Sequence, residues 1–128
     1  LRSPDKEEYT RITFYPGGGY LNRDHSGPAI RTSAISIDNL NSSVSDKVDF
    51  RIPETADVRI AEHEQVNLRI FIDRSVVEVF VNDRQCIALR AYPSRGDSKG
   101  VSITARGKSA TMVLLDAWQM KSIYETTK

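Results

Sequence analysis

Apolar and polar residues alternate with a period of two along most of the chain, and no window carries the sustained i, i+3, i+4 apolar stripe of a helix. "YTRITFY" (residues 9–15) sets Ile12 and Phe14 against Thr and Arg, the pattern of a half-buried strand. "GPAIRTSAISID" (27–38) repeats it with Ile30, Ala34, Ile35 and Ile37. "ADVRIA", "VNLRIFID", "SVVEVFV", "QCIALRAY", "GVSITA" and "SATMVLLDAW" follow at regular spacing with turn residues between them. Eight short strands in that arrangement predict an all-β antiparallel sandwich of jelly-roll or concanavalin type, two packed sheets with little or no helix. Residues 38–55, rich in Asn, Ser and Asp, read as a long loop or covering segment. "YPGGGYLN" reads as a turn whose glycines supply positive φ, because no helix and no Lys-Ser/Thr pair follows to make a phosphate cradle.

The most informative stretch is "FIDRSVVEVFVND" (71–83). With Arg74-Ser75 as a two-residue turn, Asp73 pairs with Val76, Phe71 with Glu78, and Arg69 with Phe80. One face then carries Leu68, Ile70, Ile72, Val77, Val79 and Val81, which is expected to be core. The other carries Arg69, Phe71, Asp73, Val76, Glu78 and Phe80. The next strand has two possible registers: a two-residue turn brings Cys86 and Ala88 to the core face, and a three-residue loop brings Ile87 and Leu89. The second suits an aliphatic sheet better, and it sets Arg90 beside Val76, diagonal to Glu78.

Asp73 and Glu78 raise the question of glycosidase chemistry, which uses two carboxylates, one of them an acid with a raised pKa. On this face Glu78 would lie between Arg69 and Arg90, and neighbouring cations favour the charged carboxylate, the opposite of what an acid catalyst needs. The pair therefore reads as sheet-surface charge. Phe71 and Phe80 beside it suggest a face that meets a neighbour, so Arg69, Phe71, Asp73, Glu78, Phe80 and Arg90 form a candidate interface, with no catalytic, cofactor or metal residue assigned.

Composition narrows the field further. The chain has 128 residues, 39% of them hydrophobic, which suits one domain with a real core. Lys+Arg and Asp+Glu number 18 and 17, so no electrostatic footprint points to nucleic acid or an anionic membrane. No apolar stretch is long enough to span a bilayer. Cys86 is the single cysteine and reads as a buried structural thiol. His25 and His63 sit in polar loops without metal-ligand spacing, and no cofactor is implied. The tripeptide Arg95-Gly96-Asp97 and the sequon Asn41-Ser42-Ser43 are short patterns that carry little by themselves.

Residues 68–103, "LRIFIDRSVVEVFVNDRQCIALRAYPSRGDSKGVSI", closely resemble the C-terminal β-sandwich module of glycoside hydrolase family 32, the family of invertases, levanases and inulinases. The family's D-R-S-x-V-E-x-F signature stands here as Asp73, Arg74, Ser75, Val77, Glu78 and Phe80. The R-x-Y-P segment (90–93) and the closing "LDAWQMKSIY" resemble the same module, as more loosely do "YTRITFYPGGGYLN" and "PETA". The resemblance implies a domain that partners a five-bladed propeller in which N-D-P-N, R-D-P and E-C motifs carry the catalysis. None of those motifs occurs here: in "NRDHSG" His25 stands where the proline would be, and Cys86 follows Gln85.

By that resemblance the chain is expected to be a single non-catalytic module, 1–128, lacking the module's first strands. A propeller domain is its implied partner, and a homo-oligomer through an open sheet edge or face is expected as well. A free-standing carbohydrate-binding module is the alternative, with Tyr15, Tyr20, Tyr92 and Trp118 as candidate ring platforms, although Trp118 in the last strand is expected to be buried. Proteins of the family are often secreted or periplasmic, and some are cytoplasmic.

Overall fold

The computed structural model describes residues 2–20, 31–49 and 52–122. His25, Ile30 and the Leu21-Asn22 end of the glycine-rich stretch lie outside them. The described chain is all-β: β1 (Arg11–Tyr20), β2 (Arg31–Asp38), β3 (Glu54–Val58), β4 (Leu68–Asp73), β5 (Val76–Val81) and β6 (Gln85–Arg90). They form two three-stranded antiparallel sheets, ordered β1-β2-β3 and β4-β5-β6. The two inner faces share one core, as in a β-sandwich.

Alternation selects what enters that core. On the first sheet Ile12 pairs with Ile37, Phe14 with Ile35, and Ile35 with Ala56. Ile35 and Ile37 are fully buried, and Val58 joins them. The second sheet contributes Val77, Val79, Val81 and Ile87, with Leu89 packed at the margin. Strands β3 and β6 lie against one another and close one side of the sandwich. The Asn39 amide donates to the Arg90 carbonyl at 3.0 Å, tying the end of β2 to the end of β6.

Hairpin and register come out as the alternation predicts. Asp73 pairs with Val76, Phe71 with Glu78 and Arg69 with Phe80. The loop after β5 has three residues, Val79 pairs with Ile87, and Arg90 lies beside Val76. Arg74 (φ 52), Asn82 (φ 48) and Asp83 (φ 55) take left-handed backbone to make these tight returns. Asn82 offsets that by donating its amide to Glu64 Oε1 at 2.8 Å and to the Gln65 carbonyl at 3.0 Å.

Five expectations need correction. Of the six aliphatics expected in the core, those on β5 are buried, but Leu68, Ile70 and Ile72 remain 38%, 44% and 45% exposed. Strand β4 is the outer strand of its sheet, and among the described residues no strand lies beyond it. The segments 100–105 and 109–118 are not strands: residues 101–121 are exposed and pair with no strand among the described residues. Trp118 is accordingly 81% exposed, not buried. Cys86 is exposed, because the three-residue loop turns Ile87 inward and Cys86 outward. The glycines lie within β1 and not in a turn, with the register shifting between Tyr15 and Gly19. Gly17 alone of the three has positive φ, and a Cβ on Gly19 would collide with the Asp57 carboxylate and the Ser33 carbonyl.

Candidate functional surface

Alternation on β4 and β5 places Arg69, Phe71, Asp73, Val76, Glu78 and Phe80 on the side of the second sheet away from the core. Cys86, Ala88 and Arg90 join them from β6. The six candidate interface residues therefore share one face. Phe71 and Phe80 meet edge to face, with ring centroids 5.7 Å apart and planes at 89°, the arrangement aromatic quadrupoles favour. Phe71 keeps 42% of its surface exposed. At the far margin an open groove of about 360 Å³ is lined by Ile52, Glu54, Val76, Ala88, Leu89 and Arg90.

Charge on this face is arranged differently from the expectation. The Arg69 guanidinium pairs with Asp83 in the β5–β6 loop and lies 5.9 Å from the Phe80 ring centroid. Among the described residues neither Arg69 nor Arg90 forms an ion pair with Glu78. The three-residue loop folds Asp83 back towards Arg69, so the guanidinium takes a loop partner that strand pairing alone does not place beside it. Asp73 is exposed and Glu78 half-buried; they are diagonal neighbours on the outer face of the sheet. Among the described residues no group of three or more His, Cys, Asp or Glu gathers as a metal set.

A second cluster escaped the sequence reading. Glu8 is 1% exposed. Its carboxylate accepts hydrogen bonds from the Val44, Ser94 and Arg95 N–H groups at 3.3, 2.7 and 3.3 Å, and from the Ser94 hydroxyl at 2.8 Å. The Ser98 hydroxyl donates as well. Burial pushes this carboxyl up, but the hydroxyls of Ser98 and Ser94 and the two backbone donors outweigh it and hold it at about 2.

Arg95 beside it bonds Asp97 with two nitrogens, at 2.9 and 2.7 Å, and Asp5 at 2.6 Å. The Asp5 carboxyl sits at about 2, held there by the Ser3 hydroxyl, Arg95 and the Glu7 N–H. The Arg-Gly-Asp tripeptide thus bonds to itself and to the N-terminal segment. No local pattern could have found Glu8, whose partners lie 36 to 90 positions away. The acidic run "DKEE" facing a Ser-rich loop was the sole hint.

The hairpin with its D-R-S-x-V-E-x-F residues, set in two facing antiparallel sheets, defines a β-sandwich domain with an aromatic, charged outer face. The model for "Glycosyl hydrolases family 32 C terminal" matches residues 1–119, and the chain belongs to that family, as the C-terminal domain of fructosidases. It is 30% identical over 128 residues to the beta-fructofuranosidase insoluble isoenzyme CWINV3 of Arabidopsis thaliana, covering 95% of this chain and 21% of the relative. It is 32% identical over 121 residues to the acid beta-fructofuranosidase of Vicia faba, covering 91% and 18%. A shorter stretch of 64 residues is 39% identical to the raffinose invertase of Escherichia coli, covering 49% and 13%. The chain thus spans about a fifth or less of the length of these relatives. No solved structure matches.

Proposed function

We propose that this chain is a non-catalytic accessory module of a fructoside-hydrolysing enzyme, and that the outer face of its second sheet packs against the catalytic domain. The observation that carries this reading is the near-complete alignment of the chain with a fifth of a beta-fructofuranosidase, joined to a family defined as a C-terminal domain. The face supports it physically. Phe71 and Phe80 form a rigid apolar centre, and Arg69, Asp73, Glu78 and Arg90 supply a charged rim, the anatomy of a protein interface. Buried aromatic and arginine side chains contribute most to such contacts.

The test joins this domain to a family 32 catalytic domain deprived of its own C-terminal domain. The fused module lengthens the half-life of sucrose hydrolysis at elevated temperature, and Phe71→Ala with Phe80→Ala removes most of that gain without unfolding the sandwich. A half-life indifferent to both the module and the two substitutions contradicts the docking. A second reading, as a sugar-binding module, draws on the exposed rings of Tyr15, Tyr92 and Trp118. Saturable calorimetric binding of inulin or levan oligosaccharides by the isolated chain would favour it.

A further inference from the structure

Beyond Gly100 the chain becomes an arm. Gly100 is held by a two-way backbone bridge to Arg2, at 3.0 and 2.9 Å. After it the arm's large apolar side chains lie in water, among them Met112 (61%), Val113 (73%), Leu114 (76%) and Leu115 (62%). Strand β4 has the matching deficiency: half-covered aliphatics and, among the described residues, no strand on its far side. Each leaves apolar surface exposed, at roughly 25 cal/mol per Å², and an open strand edge is a template for pairing.

Their patterns fit in one way. On β4, Leu68, Ile70 and Ile72 face the core side, and Arg69, Phe71 and Asp73 face outward. In the arm, Val113, Leu115 and Ala117 alternate with Met112, Leu114 and Asp116. The parity that keeps Asp116 on the outer, charged face sends Val113, Leu115 and Ala117 to the core side. Among antiparallel registers of that parity, one sets Asp116 opposite Arg69, whose guanidinium holds Asp83 and has nitrogens left to bridge a second carboxylate. It also sets Ile70 opposite Leu115, Ile72 opposite Val113, and Phe71 opposite Leu114. A slip of two residues puts Asp116 against Phe71, and a slip of four puts it against Asp73, a like charge. A parallel alignment on the same ion pair brings Gln119 to Ile72.

We propose that the arm of a second copy of this chain adds to β4 in that antiparallel register, and that the exchange is reciprocal, giving a two-fold dimer. In the structure the arm leaves its own β4 open, so arm and edge are presented to another molecule. Exchange of identical elements is a low-cost route to a dimer. Reciprocal exchange engages arm and edge twice and so doubles the area one strand addition would bury, in the direction of the ~800 Å² per partner of a stable interface. The dimer does not rest on docking of the outer face, which the arm extends at the β4 edge with Leu114 and Asp116.

The test is a chain carrying Arg69→Cys and Asp116→Cys, with Cys86→Ser to remove the native thiol, mildly oxidised. The expected product is a covalent dimer joined through the introduced thiols, and the unmodified chain is a dimer by light scattering at tens of micromolar. An intramolecular crosslink overturns the proposal, as does a dimer that does not crosslink or a monomer throughout. Should the cysteine variant fail to fold, charge reversal decides. In an Asp83→Asn background, which removes the partner Arg69 has within its own chain, Arg69→Asp or Asp116→Arg alone weakens dimerisation by about tenfold and the pair together restores it; reversals without effect overturn the register.

Discussion

Glu8 shows how much a single residue settles in this fold. A carboxylate with 1% of its surface exposed would be expelled or neutralised without partners. Here a nest of hydroxyl and backbone donors from residues 94–98, together with the Val44 N–H, keeps it ionised. Glu8→Ala strands those donors and is expected to destabilise the domain by about 2–4 kcal/mol in urea denaturation. The same group sets a pH response. Its folded pKa of about 2 lies below the ordinary 4.5, so between those values the unfolded chain holds more protons than the folded one. The Glu8 contribution is complete above about pH 5 and drains away as pH falls from there towards 2. Urea midpoints of wild type therefore drop between pH 7 and pH 3 by more than those of Glu8→Gln. Equal drops would mean that the hydrogen bonds do not select the ionised carboxylate.

Strands make their own predictions through coverage. Val79 lies on the central strand of its sheet and is fully buried, whereas Ile70, its direct partner on β4, keeps 44% exposed. Val79→Ala is expected to cost about 2 kcal/mol or more by cavity formation, and Ile70→Ala about 1 despite its larger loss of carbon. The comparison belongs at sub-micromolar concentration, where β4 stays uncovered; equal costs there would show that β4 is already covered. Gly19→Ala, which drives a Cβ into Asp57 and the Ser33 carbonyl, is expected to cost about 1–3 kcal/mol and to lower the thermal midpoint.

The hairpin and its register were legible in the sequence. Strict alternation from Leu68 to Val81 leaves one facing, and the preference for Ile87 over Cys86 in the core chooses the loop length. The C-terminal strands were legible as patterns only. A strand needs a partner as well as alternation, and residues 101–121 pair with no strand among the described residues. The Glu8 nest and the Arg69–Asp83 pair were out of reach for another reason: both depend on how loops fold back in three dimensions, which period-two patterning does not encode.

At the scale of the molecule, a small sandwich carries an aromatic face on one sheet, an open edge on β4, and a family membership defined by its place at the end of a fructosidase. The two carboxylates that first suggest glycosidase chemistry lie on an open surface, with Asp73 exposed and Glu78 beside a phenylalanine. Their separation, roughly 7–8 Å for diagonal strand neighbours, says less than the exposure of Asp73. On the proposed reading, Asp73 and Glu78 serve the docking face and hydrolysis is left to the catalytic domain. The most direct measurement of that division is fructose release from sucrose, inulin and levan oligosaccharides by the purified chain, beside its Asp73→Asn and Glu78→Gln variants. That division predicts release no faster than the buffer blank for all three. Release by the wild-type chain that either substitution abolishes would contradict it.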